Sequence, residues 1–139
     1  MSWAEDGRDA GILVLRVGIG VMFILHGFPK LIGGTETWAG LGQAMGTFGI
    51  GFAPAFWGFM AALAEFGGGI CLIIGLGFRI ACALMAFTML VASAMHLSQG
   101  HGIKGAAHAI ELLIVFLSLM IIGSGKFSLA RKVQVRFLQ

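Results

Sequence analysis

A few ionisable side chains interrupt the apolar segments of this sequence. Arg16, His26 and Lys30 lie within the run RVGIGVMFILHGFPKLI, and Glu65 lies in the middle of a later apolar run. An ionisable side chain in hydrocarbon costs roughly 2.5 kcal/mol or more, so such residues usually face the interior of a bundle and mark a site. Histidine and glutamate at these positions could exchange protons with a bound ligand.

The composition is that of an integral membrane protein. The chain has 139 residues, of which 58% are hydrophobic and 11% are charged, and its mean hydropathy is +0.97. Soluble domains average about 25% charged residues. The acidic start MSWAEDGRDA is unlike a secretory signal, so we expect the first apolar helix to be retained. The net charge of +3 fits orientation in a lipid bilayer, and nucleic acid is not a predicted partner.

The apolar runs predict one all-α domain over residues 1–139, a four-transmembrane-helix antiparallel bundle. With roughly 20 residues for each span, we place the helices at about 11–32, 53–74, 79–97 and 106–122, followed by a basic tail at 123–139. Apolar residues at helical spacing between the first two spans predict a short interfacial helix that could act as a lid, with Thr35 or Thr37 as its N-cap. These apolar residues are Trp38, Leu41, Met45 and Phe48.

The distribution of basic residues predicts the orientation. With four spans, one side holds most of them, namely Arg8, Arg16, Arg79, Lys126, Arg131, Lys132 and Arg136, and the other side holds only Lys30 and Lys104. Cytoplasmic ends carry the excess of lysine and arginine. We therefore predict a multi-pass protein of a bacterial-type inner membrane with both termini in the cytoplasm.

Depth along the membrane normal predicts a polar pocket near the outer surface. With about 1.5 Å of rise per residue, the ionisable residues of three helices fall roughly 20 to 28 Å from the cytoplasmic side. They are His26, His96, His108 and Glu111. A polar pocket under an apolar lid suits an amphiphile such as a quinone. We predict quinone binding by His26, Lys30, Trp38, His96 and His108, and proton exchange by His26, His96 or Glu111.

A second layer of charge lies lower in the predicted bundle. Arg16 falls roughly 7 Å and Glu65 roughly 14 Å from the cytoplasmic boundary, which an extended arginine side chain can bridge. Two opposite charges left apart in lipid would each keep a large desolvation cost. We predict an Arg16–Glu65 ion pair, and a structural role in docking two helices is as well supported as a functional proton or substrate site.

Metal or haem ligation is an alternative use of the histidines. Neutral imidazoles bind zinc, copper and haem iron. The spacing does not favour this use, because the histidines are scattered over several helices and the sequence has no HxxxH or CxxC pair.

Three segments of the chain, in their order and spacing, resemble the DoxX/DoxD-like family of small four-helix membrane proteins. The segments are LRVGIGVMFILHGFPKLIGG, AEFGGGICLIIGLGFRIACALMAFTMLVASAMH and GSGKFSL. The resemblance implies a small subunit of a membrane redox system, since the DoxD-type relative is a subunit of a thiosulfate:quinone oxidoreductase. The family pattern matches Arg16, His26, Lys30, Glu65, Arg79 and His96. His108 and Glu111 match no family motif, so their predicted roles rest on depth alone.

Two functions follow from these observations. The first is an oxidoreductase-associated membrane subunit that binds a quinone and receives electrons from a partner subunit or from the substrate. The second is a non-catalytic accessory subunit at the periphery of a larger membrane complex. Its small-residue and aromatic faces would pack against that complex. Transport of a small solute is a third option, although four helices form a pore only in an oligomer. Whether the chain is itself an enzyme stays open.

Overall fold

The fold is all-helical over residues 3–133, which are the residues that the computed structural model describes. The helices are α1 (Trp3–Ile32), α2 (Gly34–Gly42), α3 (Pro54–Ile74), α4 (Phe78–Ser98), α5 (Gly102–Ile122) and α6 (Leu129–Lys132), and a 3₁₀ segment (Gln43–Phe48) follows α2. Four of them, α1, α3, α4 and α5, are long and apolar enough to cross a membrane. The predicted four-helix membrane fold is therefore confirmed.

The helix ends define two faces of the bundle. The start of α1 lies beside the segment after α5, where Asp9 accepts a hydrogen bond from the Lys126 amide, and we call this side the termini face. The opposite side carries α2 and the α4–α5 connection, and we call it the loop face. The first helix begins at Trp3 instead of near residue 11, and Glu5 and Asp6 lie in its first turn, where the helix dipole favours negative charge.

Part of the predicted basic tail folds back onto the bundle and forms a short helix. Residues 123–133 return to the bundle and include α6, which begins after Ser128, whose hydroxyl oxygen accepts from the Arg131 amide. The remainder of the predicted tail, 134–139, lies outside the described residues.

Small residues allow α1 and α3 to approach at backbone distance. A Cβ atom on Gly20 would lie 2.7 Å from the Gly69 carbonyl oxygen, and a Cβ atom on Gly69 would lie 2.7 Å from the Gly20 carbonyl oxygen. Further along, a Cβ atom on Gly27 would lie 2.6 Å from the Phe66 amide nitrogen. In a bilayer such contacts replace the hydrophobic effect as the source of helix association.

The segment after α1 lies tightly against the start of α3. A Cβ atom on Gly58 would overlap the Trp38 carbonyl oxygen, and the Trp38 ring meets the Phe59 ring edge-on with centroids 4.9 Å apart. The prediction of a threonine N-cap is wrong: Gly33 precedes α2 without a side-chain cap, and Thr37 Oγ1 instead donates to the Gly33 carbonyl. The reason is that α2 begins almost directly after α1, which leaves no extended residue to place a capping hydroxyl.

Replacing Gly58 with alanine is expected to separate α2 from α3. The added methyl group has no space against the Trp38 backbone, so we expect destabilisation by about 2 kcal/mol or more, as for overpacked cores. Gly67→Ala on the same helix is the matched control, because nothing lies within 4 Å of its Cβ position, and alanine favours helix by about 1 kcal/mol. Thermal unfolding in detergent checks the difference, and equal effects of the two variants would contradict the α2–α3 contact.

The core of the bundle is aromatic and sulfur-rich. Phe23 of α1 meets Phe116 of α5 edge-on with ring centroids 5.1 Å apart, and Phe78 and Met85 of α4 are fully buried beside them. The helices α1 and α3, and likewise α4 and α5, are in closer contact than α3 and α4. The looser α3–α4 contact leaves a groove.

Candidate functional site

A long apolar groove runs between α3 and α4 from the termini face to the loop face. Its volume is about 680 Å³, and its lining extends from Gly77, the residue before α4, to His96 near the end of α4, about 28 Å at 1.5 Å per residue. Alanine, glycine, leucine and phenylalanine residues form most of its wall. At the loop face, Leu41 and Met45 from α2 and the 3₁₀ segment close its end.

An ion pair forms part of the groove wall. Lys30 Nζ lies 2.8 Å from Glu65 Oε2, and the side chains are 34% and 7% exposed, respectively. The close approach at Gly27 brings the end of α1 against the middle of α3, so the lysine side chain reaches a glutamate that lies deep in its own helix. Because the lysine is partly exposed to the groove, this pair can offer a charged donor to a ligand.

A second polar group lies at the loop-face end of the groove. His96 Nδ1 and His101 Nδ1 are 2.9 Å apart, so one ring donates a hydrogen bond and the other accepts it. His96 lines the groove, whereas His101 is exposed in the connection that follows α4. The sequence patterns did not predict this pair.

Trp57 is a groove residue that sequence reasoning missed. Its Nε1 atom is buried and has no hydrogen-bond partner within the described part of the chain. The rings of Phe52 and Phe56 lie edge-on to it, at centroid distances of 6.0 and 5.2 Å. A tryptophan in the first turn of a span is a common interfacial residue, and its spacing alone does not reveal an unpaired N–H.

Trp38 lies beside the groove without lining it. Its Nε1 atom donates to the Lys30 carbonyl oxygen at 3.0 Å, and its ring contacts Phe59. The interfacial segment therefore holds the residue that forms the ion pair, and only its later part closes the groove.

The structure separates the other residues of the predicted outer pocket. His26 is exposed on α1 and its Nδ1 lies 2.7 Å from the Met22 carbonyl oxygen of the same helix. His108 and Glu111 are exposed on α5, and none of these three side chains lines the groove. Within residues 3–133, no three histidine, cysteine, aspartate or glutamate side chains are close enough to hold a metal ion. Shared depth did not bring these residues together, because depth does not fix direction around a helix axis.

The predicted Arg16–Glu65 ion pair is wrong in its partners. Glu65 pairs with Lys30, and the guanidinium of Arg16 bonds to four backbone carbonyls on the termini side. These bonds are Nε to Leu72 at 2.9 Å, Nη2 to Ile73 at 2.9 Å, and Nη1 to Ser124 at 2.8 Å and Phe127 at 3.3 Å. The last carbonyls of a helix lack intrahelical donors and carry partial negative charge, which makes the end of α3 a natural partner for arginine.

Gly75 completes the arginine site. It ends α3 with a φ of 71°, a conformation that favours glycine, and a Cβ atom there would overlap Arg16 Nη2. The ring of Phe78 lies under the guanidinium, 5.8 Å from Cζ to the centroid. Arg16 is 1% exposed, so this site is a structural clamp between α1, the end of α3 and the segment after α5.

Comparison with known proteins gives one family and two relatives. The DoxX family model matches residues 11–97. The chain is 33% identical over 127 residues to "Inner membrane protein YqjF" of Escherichia coli (strain K12), which covers 89% of this chain and 92% of that protein. It is 34% identical over 82 residues to "Putative oxidoreductase CatD" of Bacillus subtilis (strain 168), which covers 59% of this chain and 56% of that protein. No solved structure gives a significant match.

Proposed function

The chain belongs to the DoxX family of membrane proteins, and we propose that it is a small membrane subunit of a redox system that binds a quinone in the α3–α4 groove. The observation that carries the proposal is the shape and polarity of this groove, which is apolar along its length and has charged and imidazole groups in its loop-face half. The name of the Bacillus subtilis relative, "Putative oxidoreductase CatD", supports a redox role.

The groove matches the two parts of a quinone. The isoprenoid tail would lie along the alanine and glycine wall between α3 and α4, where its apolar surface contacts apolar side chains. The Lys30 ammonium and the His96 imidazole would donate hydrogen bonds to the headgroup oxygens. An oxygen acceptor near Trp57 would also satisfy an N–H that is otherwise unpaired and costly.

Proton exchange is the chemistry that these side chains can supply. Reduction of a quinone to a quinol consumes two electrons and two protons. His96, with its hydrogen bond to the exposed His101, connects the groove to water at the loop face and can deliver protons. Glu65 neutralises Lys30 and holds its ammonium in the groove wall, where it can donate to the headgroup. We propose that electrons come from a partner subunit of a membrane redox complex, with the chain as its membrane part.

The orientation is part of the same proposal. The described ends of the chain share the termini face, and that face carries most of the basic residues. By the excess of lysine and arginine, the termini face is cytoplasmic and the loop face is outside the inner membrane. The quinone headgroup would then bind toward the outer leaflet.

Filling the groove tests quinone binding directly. Ala64 lines the groove, so Ala64→Trp is expected to weaken binding of a quinone by about tenfold or more, which corresponds to roughly 1.4 kcal/mol of steric overlap. Ala83→Trp is the matched control, since Ala83 is exposed on α4 and does not line the groove. Binding is measured with ubiquinone or menaquinone added to the purified chain in lipid nanodiscs. Equal binding by Ala64→Trp and the wild type would overturn the proposal.

An accessory role is the second candidate, and the same groove favours it. The wall of α3 carries Ala61, Ala64, Gly67 and Gly68, small residues that let a helix of another membrane protein approach closely. If gentle extraction retains a stoichiometric partner chain, and Ala64→Trp releases that chain without any quinone in either sample, the groove is a subunit interface.

A further inference from the structure

A second cavity lies on the termini face, away from the quinone groove. It has a volume of about 370 Å³ between the start of α1, the end of α5 and α6. Its wall includes Arg8, Asp9, Ile12, Ile122, Ser124 and Arg131. Nothing in the proposed quinone chemistry uses these residues.

The charge of this cavity favours an anion. Two guanidinium groups, Arg8 and Arg131, face one carboxylate, Asp9. Asp9 is 6% exposed, its Oδ1 accepts from the Lys126 amide, and Arg8 lies 4.0 Å away, so its charge is largely satisfied within the protein. Lys126 is itself paired with Asp6. Among the described residues that line the cavity, two guanidinium groups stand against one carboxylate, so the lining carries a net positive charge.

The polarity of the cavity changes along the membrane normal. Arg8 and Arg131 lie toward the end of the bundle, and Ile12 lies one turn further into the span on α1. Ile122 is the last residue of α5 and is 56% exposed. A cationic mouth above an apolar wall, at the depth where spans end, is complementary to a phosphate headgroup joined to acyl chains.

We propose that this cavity binds the phosphate group of an anionic phospholipid, with Arg8 and Arg131 as its ligands and Ile12 and Ile122 as the start of the acyl-chain wall. The bound lipid would fix the segment after α5 against α1. This site is independent of the quinone groove, and either proposal can fail without the other.

The test compares neighbouring basic residues of α6. Arg131 lines the cavity and Lys132 does not, although both are exposed at the same face. Phosphatidylglycerol is added to the purified full chain in a neutral detergent, and bound lipid is counted by native mass spectrometry, with phosphatidylcholine of the same acyl chains as the comparison. Sodium phosphate is added in a separate series.

We expect the wild-type chain to bind one phosphatidylglycerol molecule, and to bind it more tightly than phosphatidylcholine. Binding should weaken about fivefold in Arg131→Gln and about 25-fold in Arg8→Gln combined with Arg131→Gln, with less than a twofold change in Lys132→Gln. Equal binding of the two lipids by the wild type would overturn the proposal without any variant. Equal losses in Arg131→Gln and Lys132→Gln would show diffuse surface charge instead of a site. Competition by millimolar sodium phosphate would assign the cavity to a free anion instead of a lipid.

Discussion

Arg16→Leu is expected to destabilise the folded bundle by on the order of 4 kcal/mol, about 1 kcal/mol for each of the four carbonyl groups that would lose a donor. The leucine side chain cannot hydrogen-bond, and the site is closed to water because Arg16 is 1% exposed. The effect should reach three parts of the chain, since the guanidinium joins α1 to the end of α3 and to the segment before α6.

Arg16→Lys separates charge from geometry. A lysine keeps the positive charge near the end of α3, but its ammonium has only three donors and cannot reach Leu72, Ile73, Ser124 and Phe127 from one position. We expect a loss about half as large as that in Arg16→Leu. If lysine restores full stability, the clamp works through charge alone and the fork geometry is unimportant.

Unfolding in mixed detergent micelles, followed by tryptophan fluorescence, measures both variants. Arg79→Leu is the control, because Arg79 is an exposed arginine at the same face of the bundle and its loss should change stability by about 0.5 kcal/mol or less. A loss in Arg16→Leu no larger than that in Arg79→Leu would contradict the structural clamp.

The membrane fold was readable from the sequence because its signals are long and redundant. The spans of α3, α4 and α5 each combine an apolar run of sufficient length with a glycine-rich or polar connection, so their existence does not depend on any one residue. The interfacial segment was also readable, because Trp38, Leu41, Met45 and Phe48 repeat at helical spacing. The hydropathy pattern did not predict the early start of α1, because the residues before residue 11 are helical but polar.

The site was harder to predict because it depends on direction around the helix axes. Their rise along the helices predicts a shared depth for His26, His108 and Glu111, but all three side chains lie on exposed faces of their helices. Successive residues are rotated by about 100° around the helix axis. A side chain one position away from a pocket-lining residue therefore points away from the pocket. The requirement for paired charges was correct in principle, but the reach of long side chains allowed Lys30 to meet Glu65 and left Arg16 to the free carbonyls of α3.

Some signals for the correct pairing were present in the chain. Gly27 lies one turn before Lys30, and Glu65 immediately precedes the Phe66 amide that the Gly27 backbone approaches. A glycine at a helix crossing places its helical neighbours beside the partner helix, which would have favoured Lys30 as the partner of Glu65. Nothing comparable pointed to His101, whose position depends on the tight connection after α4.

Removing both charges of the Lys30–Glu65 pair should restore stability but not quinone binding. Lys30→Met leaves a carboxylate that is 7% exposed without its partner, and we expect a loss of about 2 kcal/mol, below the 3 to 5 kcal/mol of fully buried pairs because Lys30 is partly exposed. Adding Glu65→Gln removes the orphaned charge, so the double variant should recover most of that stability.

Quinone binding should not recover with stability. If the ammonium of Lys30 donates to the headgroup, Lys30→Met and the double variant should both bind a quinone about tenfold more weakly, the effect of losing one charge-assisted hydrogen bond. Glu36→Gln is the matched control for removing a carboxylate outside the groove, because the Glu36 side chain is exposed on α2. Full recovery of quinone binding in the double variant would show that Lys30 does not bind the headgroup and that the ion pair has only a structural role. A loss in Glu111→Gln with none in Glu65→Gln would instead place the headgroup beside the exposed face of α5.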